Sequence, residues 1–176
     1  MNLQYERFSA ISHKHGFIGC SYSHLAVLKL ARERGYKNVL ILEDDFTFLV
    51  SREELDNKLQ SFFNTVPNYD VFMLSYNLRK SEDVHTENTD IVLKRILYAQ
   101  TASAYLVNST YYDKIIELYE WAFPILEETH QHWIYMNDVV WKRLQEKDAW
   151  YCPEPRLGKQ RESYSDLAGC IMNYGV

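Results

Sequence analysis

The chain has 176 residues, is 47% hydrophobic and carries a formal net charge of -5, which suits one domain (1–176) with a sizeable core. No long basic block offsets the acidic balance, so nucleic acid is not an expected partner. No apolar run reaches the roughly 20 residues of a membrane span, and Met1 to Arg7 lack a basic-then-apolar secretory plan, so a cytoplasmic location is expected.

Residues 3 to 11 alternate as a short strand would, and a polar loop through His13, Lys14, His15 and Gly16 follows. Ser21 or Ser23 can cap a helix running to about Arg34, with Leu25, Leu28, Leu30 and Ala31 at helical spacing and Gly35 as a left-handed cap. Val39 to Leu42 then read as a buried strand ending in Glu43, Asp44 and Asp45. Ser51 and Glu54 form a capping box for a helix through about Asn64, which Pro67 breaks. Residues 70 to 75 read as the next buried strand, and 77 to 90 as a mobile surface loop or weak hairpin. Two apolar runs, 91 to 99 and 102 to 108, precede a helix that Asn108 or Ser109 can cap, spanning 111 to 121 until Pro124 interrupts. A helix over 137 to 146 and a strand over 149 to 152 complete the regular elements, before a tail that turns irregular. Alternating strands and helices give an α/β class with a mixed, mainly parallel sheet flanked by helices.

The acids at the strand end carry the chemistry. In open α/β sheets ligands collect outside the carboxyl ends of strands. Alternation points Glu43 and Asp45 to one side and Asp44 to the other. Adjacent carboxylates repel unless a cation or a proton intervenes, and hard oxygen donors suit Mg²⁺ or Mn²⁺, which take further oxygens from substrate phosphates. A metal–diphosphate site and a solvated acidic turn are both compatible with these seven residues.

Gly19-Cys20-Ser21-Tyr22-Ser23-His24, followed at a set distance by Leu40-Ile41-Leu42-Glu43-Asp44-Asp45, resembles the G-C-x-x-S-H helix and L-x-L-E-D-D strand of glycosyltransferase family 25. That group contains lipopolysaccharide-type and procollagen galactosyl- or glucosyltransferases, with viral relatives. Tyr5 to Phe8 with Ala10, Thr101 to Val107, Asp138, and Gln160 with Ser165-Asp166-Leu167 are similar to further family segments. The resemblance implies a GT-A (Rossmann-like) fold and metal-assisted, inverting transfer of galactose or glucose from a UDP-sugar. The acceptor implied is a hydroxyl of a glycan, as in lipopolysaccharide biosynthesis, or of hydroxylysine, as in collagen glycosylation.

Asp45 is then the first choice for a direct Mn²⁺ (or Mg²⁺) ligand, with Glu43 or Asp44 contributing through water. Donor contacts fall to Asp44, Ser23, His24, Gln160, Ser165 and Asp166. Asp138 becomes the candidate general base, its competing role being a helix N-terminal carboxylate. The family's usual first βα unit is not found in the chain, which is expected to be a shortened or viral member located in the cytoplasm, or in the host cell cytoplasm or the virion if viral. That absence also motivates a rival reading, a non-catalytic binding module that has lost the donor. A metal-dependent phosphohydrolase is a third option, disfavoured because no second acid cluster is present. Donor identity, acceptor and oligomeric state are not encoded legibly.

Other features have ordinary explanations beside the functional ones. The pairs His13/His15 and His130/His132 lack a third ligand at a recognised spacing and read as surface histidines. Arg156, Lys159 and Arg161 can meet donor phosphates or form a solvated basic tail. Trp133, Tyr135 and Trp141 can stack on a sugar, though core packing is the simpler role. Fourteen tyrosines suit a sugar groove or reflect compositional bias. Cys20, Cys152 and Cys170 are too far apart for a zinc knuckle and lack a partnering base for thiol catalysis.

Overall fold

The computed structural model describes residues 1–85, 89–165, 170–173 and 175. In chain order the elements are α1 (Gly16–Glu33), β1 (Asn38–Leu42), β2 (Phe46–Phe48), α2 (Arg52–Thr65), β3 (Val71–Met73), β4 (Asn77–Val84), β5 (Val92–Gln100) and β6 (Ala104–Asn108). A 3₁₀ turn (Ser109–Tyr111) leads into α3 (Tyr112–Thr129), α4 (His132–Tyr135), α5 (Asn137–Val140), α6 (Lys142–Gln145), β7 (Trp150–Glu154), β8 (Gly158–Gln160), β9 (Ser163–Ser165) and β10 (Cys170–Met172).

Six strands form one sheet in the order β1-β6-β3-β7-β5-β4. The α/β class and the flanking helices hold, but the direction of the strands does not. Only β3 and β7 run parallel; the other four neighbouring pairs are antiparallel. An unbroken apolar run shows that both faces of a strand are covered, which is a statement about layers and not about direction. Here α1 and α3 cover one face through Ile18, Leu25, Leu28, Ile115, Tyr119 and Phe123. On the other face α2 contributes Leu55 and Phe62, the latter stacked on Phe72 at 3.9 Å between ring centroids. Each such fully buried side chain stabilises by roughly 1.5–3 kcal/mol through area removed from water.

Local signals explain where several elements start and stop. Ser51 Oγ accepts from Glu54 N at 3.1 Å, as the capping box requires. Gly35 has φ +65° just beyond α1, and its N–H donates to Arg32 O while that of Tyr36 donates to Ala31 O. Asn108 Oδ1 accepts from Thr110 N at 3.2 Å and opens the turn into α3.

Four expectations are corrected. Residues 3 to 11 form no strand: alternation needs a ladder partner, and this segment is largely exposed, with Tyr5 at 83%. It is instead tied to α1, where Ile11 N donates to Ser23 Oγ and Glu6 pairs with Arg34. Helix α1 begins five residues before Ser21, because Ile18 is wholly buried and extends the apolar face; Ser21 and Ser23 bond back to Phe17 O and Gly19 O inside the helix. Pro124 does not end α3, which runs on to Thr129 because Ala122, Phe123 and Leu126 are buried on the core side; His130, with φ 57°, then terminates it. Of the two readings of residues 77 to 90, the hairpin is the one found and needs no correction: β4 pairs antiparallel with β5 through two irregularities in register. Residues 137 to 146 form two short helices around the wholly buried Trp141, not one.

Candidate functional site

Strand β1 is an edge strand, paired among the described residues only with β6, and its tip carries the acids. Alternation puts Val39 and Ile41 into the α1/α3 core, so Glu43, two residues on, faces α1 as well. Glu43 N still donates to Ser103 O at 2.9 Å, and Phe46 N turns back onto Glu43 O at 3.1 Å. The acids therefore sit in a tight turn between β1 and β2.

Beyond the turn, β2 pairs with β8 in a register that sets Phe46 opposite Gln160. That pairing needs Gly158: a Cβ there would lie 2.0 Å from the Phe46 ring and 2.9 Å from Thr47 O. Gln160 Nε2 thereby reaches Glu43 Oε2 at 3.3 Å and both oxygens of Asp45 at 3.3 and 3.5 Å. Ser163 Oγ adds a hydrogen bond to Asp45 Oδ2 at 3.0 Å. Arg161 donates from its backbone to Asp45 O and from its guanidinium to Asp44 O. Burial and the neighbouring Glu43 charge raise the Asp45 carboxyl, while Ser163 and Gln160 pull the other way. Asp44 is exposed.

The other oxygen of Glu43 faces inward. His24 Nε2 lies 3.1 Å from Glu43 Oε1, and His24 Nδ1 lies 2.8 Å from the Tyr105 hydroxyl. Cys20, one helical turn before His24, places its Sγ 3.9 Å from the same Oε1. Burial alone would lower the His24 pKa, but Tyr105, Cys20 and Glu43 outweigh it and the ring is raised well above its ordinary value. Burial likewise raises the Tyr105 phenol, which stays neutral.

Asp138 stands in the first turn of α5, but its Oδ2 accepts from Thr101 N at 3.2 Å and not from its own helix. Its Oδ1 is buried, with no hydrogen-bond partner among the described residues. Burial raises the Asp138 carboxyl, and the Glu43 charge adds to the shift.

The structure thus gathers Glu43, Asp45, His24 and Gln160, with Asp44 beside them. Ser23 is engaged elsewhere, between Gly19 O and Ile11 N. Ser165 lies in β9, and Asp166 falls outside the described residues. Tyr105, Ser163 and Cys20 are additions to the expected set. The four-residue spacing of Cys20 and His24 on one helix was the available signal for the last of these. Arg161 is exposed beside the acids and Lys159 is exposed opposite Thr47, whereas Arg156 donates to Gly175 O and lies over the Tyr76 ring. Trp141 is core, but Trp133 is 63% exposed and does not pack as expected. The two histidine pairs come together, His15 lying 4.4 Å from His130 between ring centroids. Among the described residues, however, only Cys20, His24 and Glu43 converge as three donors.

The sequence model of glycosyltransferase family 25 (LPS biosynthesis protein) matches residues 3–128, well over half of the chain. The chain belongs to glycosyltransferase family 25. No curated protein matches it. The matched span contains the α1 motif, the acid turn and Tyr105, while Asp138, Gln160 and Ser163 lie beyond it. Family membership supports a glycosyltransferase. Among the described residues no helix is long and apolar enough to cross a membrane.

Proposed function

We propose that this protein transfers galactose or glucose from a UDP-sugar to a hydroxyl of a glycan or hydroxylysine-containing acceptor, with inversion and with help from a divalent ion. The observation that carries the reading is the pair of half-buried carboxylates, Glu43 and Asp45, held face to face by one Gln160 amide at a strand tip. Two like charges in partial burial are an unfavourable arrangement that a hard cation relieves, and the donor set fits Mn²⁺ or Mg²⁺. Asp45 would hold the ion directly, with Glu43 and Asp44 contributing through water. When bound, the ion would neutralise charge on the departing diphosphate.

The chain's own residues supply the rest. Arg161, exposed and hydrogen-bonded to Asp44 O, would meet donor phosphates, with Lys159 two residues before it as a further cation. Asp138 serves as the base that takes the acceptor proton: its carboxyl is raised, which makes it more basic, and among the described residues no donor engages its Oδ1. Asp45→Ala should abolish metal-dependent transfer from a UDP-hexose while leaving the circular dichroism spectrum unchanged. Turnover at the wild-type rate in that variant would reject the assignment.

A further inference from the structure

Glu43 presents its two oxygens to two different environments, and only the Oε2 side belongs to the pair with Asp45. We propose that the Oε1 side is a second cation site, in which Cys20 Sγ, His24 Nε2 and Glu43 Oε1 bind zinc or another borderline divalent ion. The three donor atoms all lie within 4.8 Å of one another. Zinc holds sulfur at about 2.3 Å and nitrogen or oxygen at about 2.0–2.2 Å, so a tetrahedron of such donors has edges of about 3.3–3.6 Å. The observed separations from Glu43 Oε1, 3.1 Å to nitrogen and 3.9 Å to sulfur, straddle that range. The third separation, from Cys20 Sγ to His24 Nε2, is within 4.8 Å, so closing the set asks for side-chain adjustments of up to about 1 Å.

Three further features favour this arrangement over a chance cluster. The donors come from two rigid elements: Cys20 and His24 share one face of α1, and Glu43 is anchored through its backbone to Ser103. His24 is oriented as metal-bound histidines are, with its remote nitrogen held by a hydrogen bond to the buried Tyr105 hydroxyl and its near nitrogen turned to the site. The mixed sulfur, nitrogen and oxygen set is wrong for Mn²⁺ or Mg²⁺ and right for zinc, so the two sides of Glu43 select different ions. Three protein donors leave a fourth position for water.

The competing arrangement is a proton, not a metal, between His24 and Glu43. The two are separated by cobalt substitution, read with no donor or acceptor present, so the result stands apart from the transfer reaction. The full chain carrying Cys170→Ser, which removes the exposed thiol, is stripped of metal with a chelator and titrated with Co²⁺. Cys152 is buried and its thiol pushed up to about 12, so it stays silent. The expected result is a thiolate-to-cobalt charge-transfer band that saturates on titration and is displaced by zinc. The band should be lost in Cys20→Ser and kept in Asp45→Asn. Tyr105→Phe, which deletes only the orienting hydroxyl, should weaken zinc binding by about 10- to 100-fold. No thiolate band in the parent protein, or a band that survives Cys20→Ser, would overturn the proposal.

Discussion

Asp138→Asn separates the cost of a functional carboxylate from its use. The carboxyl is held with Oδ2 on Thr101 N and Oδ1 buried without a partner among the described residues. Thr101 has φ 88°, an unfavourable value for a residue with a β-branched side chain, so the anchoring bond must be preserved in any informative variant. Asparagine keeps an oxygen acceptor for Thr101 and removes the charge. A buried group left unsatisfied costs about 1–3 kcal/mol, and the new amide retains part of that cost, so a net gain of about 1 kcal/mol is expected at neutral pH. The sign of the pH dependence follows from the raised carboxyl. Between the ordinary value of 3.8 and the higher folded one, the native state keeps a proton that the unfolded chain has released. Stability of the parent therefore falls as pH rises through that window and stays reduced above it. Urea unfolding at a series of pH values should show the variant more stable near neutrality and level with the parent below about pH 3.8. A difference that is independent of pH, or that grows in acid, would refute the reasoning. Loss of transfer in the same, better-folded variant would match the role of base.

Other substitutions probe the scaffold of the site. Gly158→Ala drives a methyl into the Phe46 ring and should destabilise by about 1–3 kcal/mol while loosening the clasp of Gln160 on the acids; thermal melts and Mn²⁺ titration would show both effects together. Ser51→Ala removes the cap of α2 and should cost about 1 kcal/mol in urea unfolding with no change in metal binding, since α2 lies on the face of the sheet away from Glu43. Phe62→Ala opens a cavity against Phe72 and should cost about 3–5 kcal/mol by the same assay.

What the sequence made legible was local. The Ser51 cap, the Gly35 terminator and the acid-tipped strand are each decided within a few residues, and each stands where it was expected. Strand direction was not legible, because Val39 to Leu42 look the same whether their neighbour runs parallel or antiparallel. The N-terminal alternation misled for a related reason: Leu3, Tyr5 and Arg7 have the period of a strand but no ladder to join. At the site, the acids and His24 were visible as a motif, yet the division of Glu43 between two neighbours depends on a contact from α1 and another from β8, 117 residues away. Gln160 reaches the acids only because β2 and β8 pair closely over a glycine, a long-range event that no local pattern announces.

The most direct test of the central claim is calorimetry of the full chain with UDP, with and without Mn²⁺. Heat of binding that requires Mn²⁺ and disappears in Asp45→Asn is the expected result. Binding of UDP that is indifferent to the metal and to that substitution, or no binding with Mn²⁺ present, would contradict it.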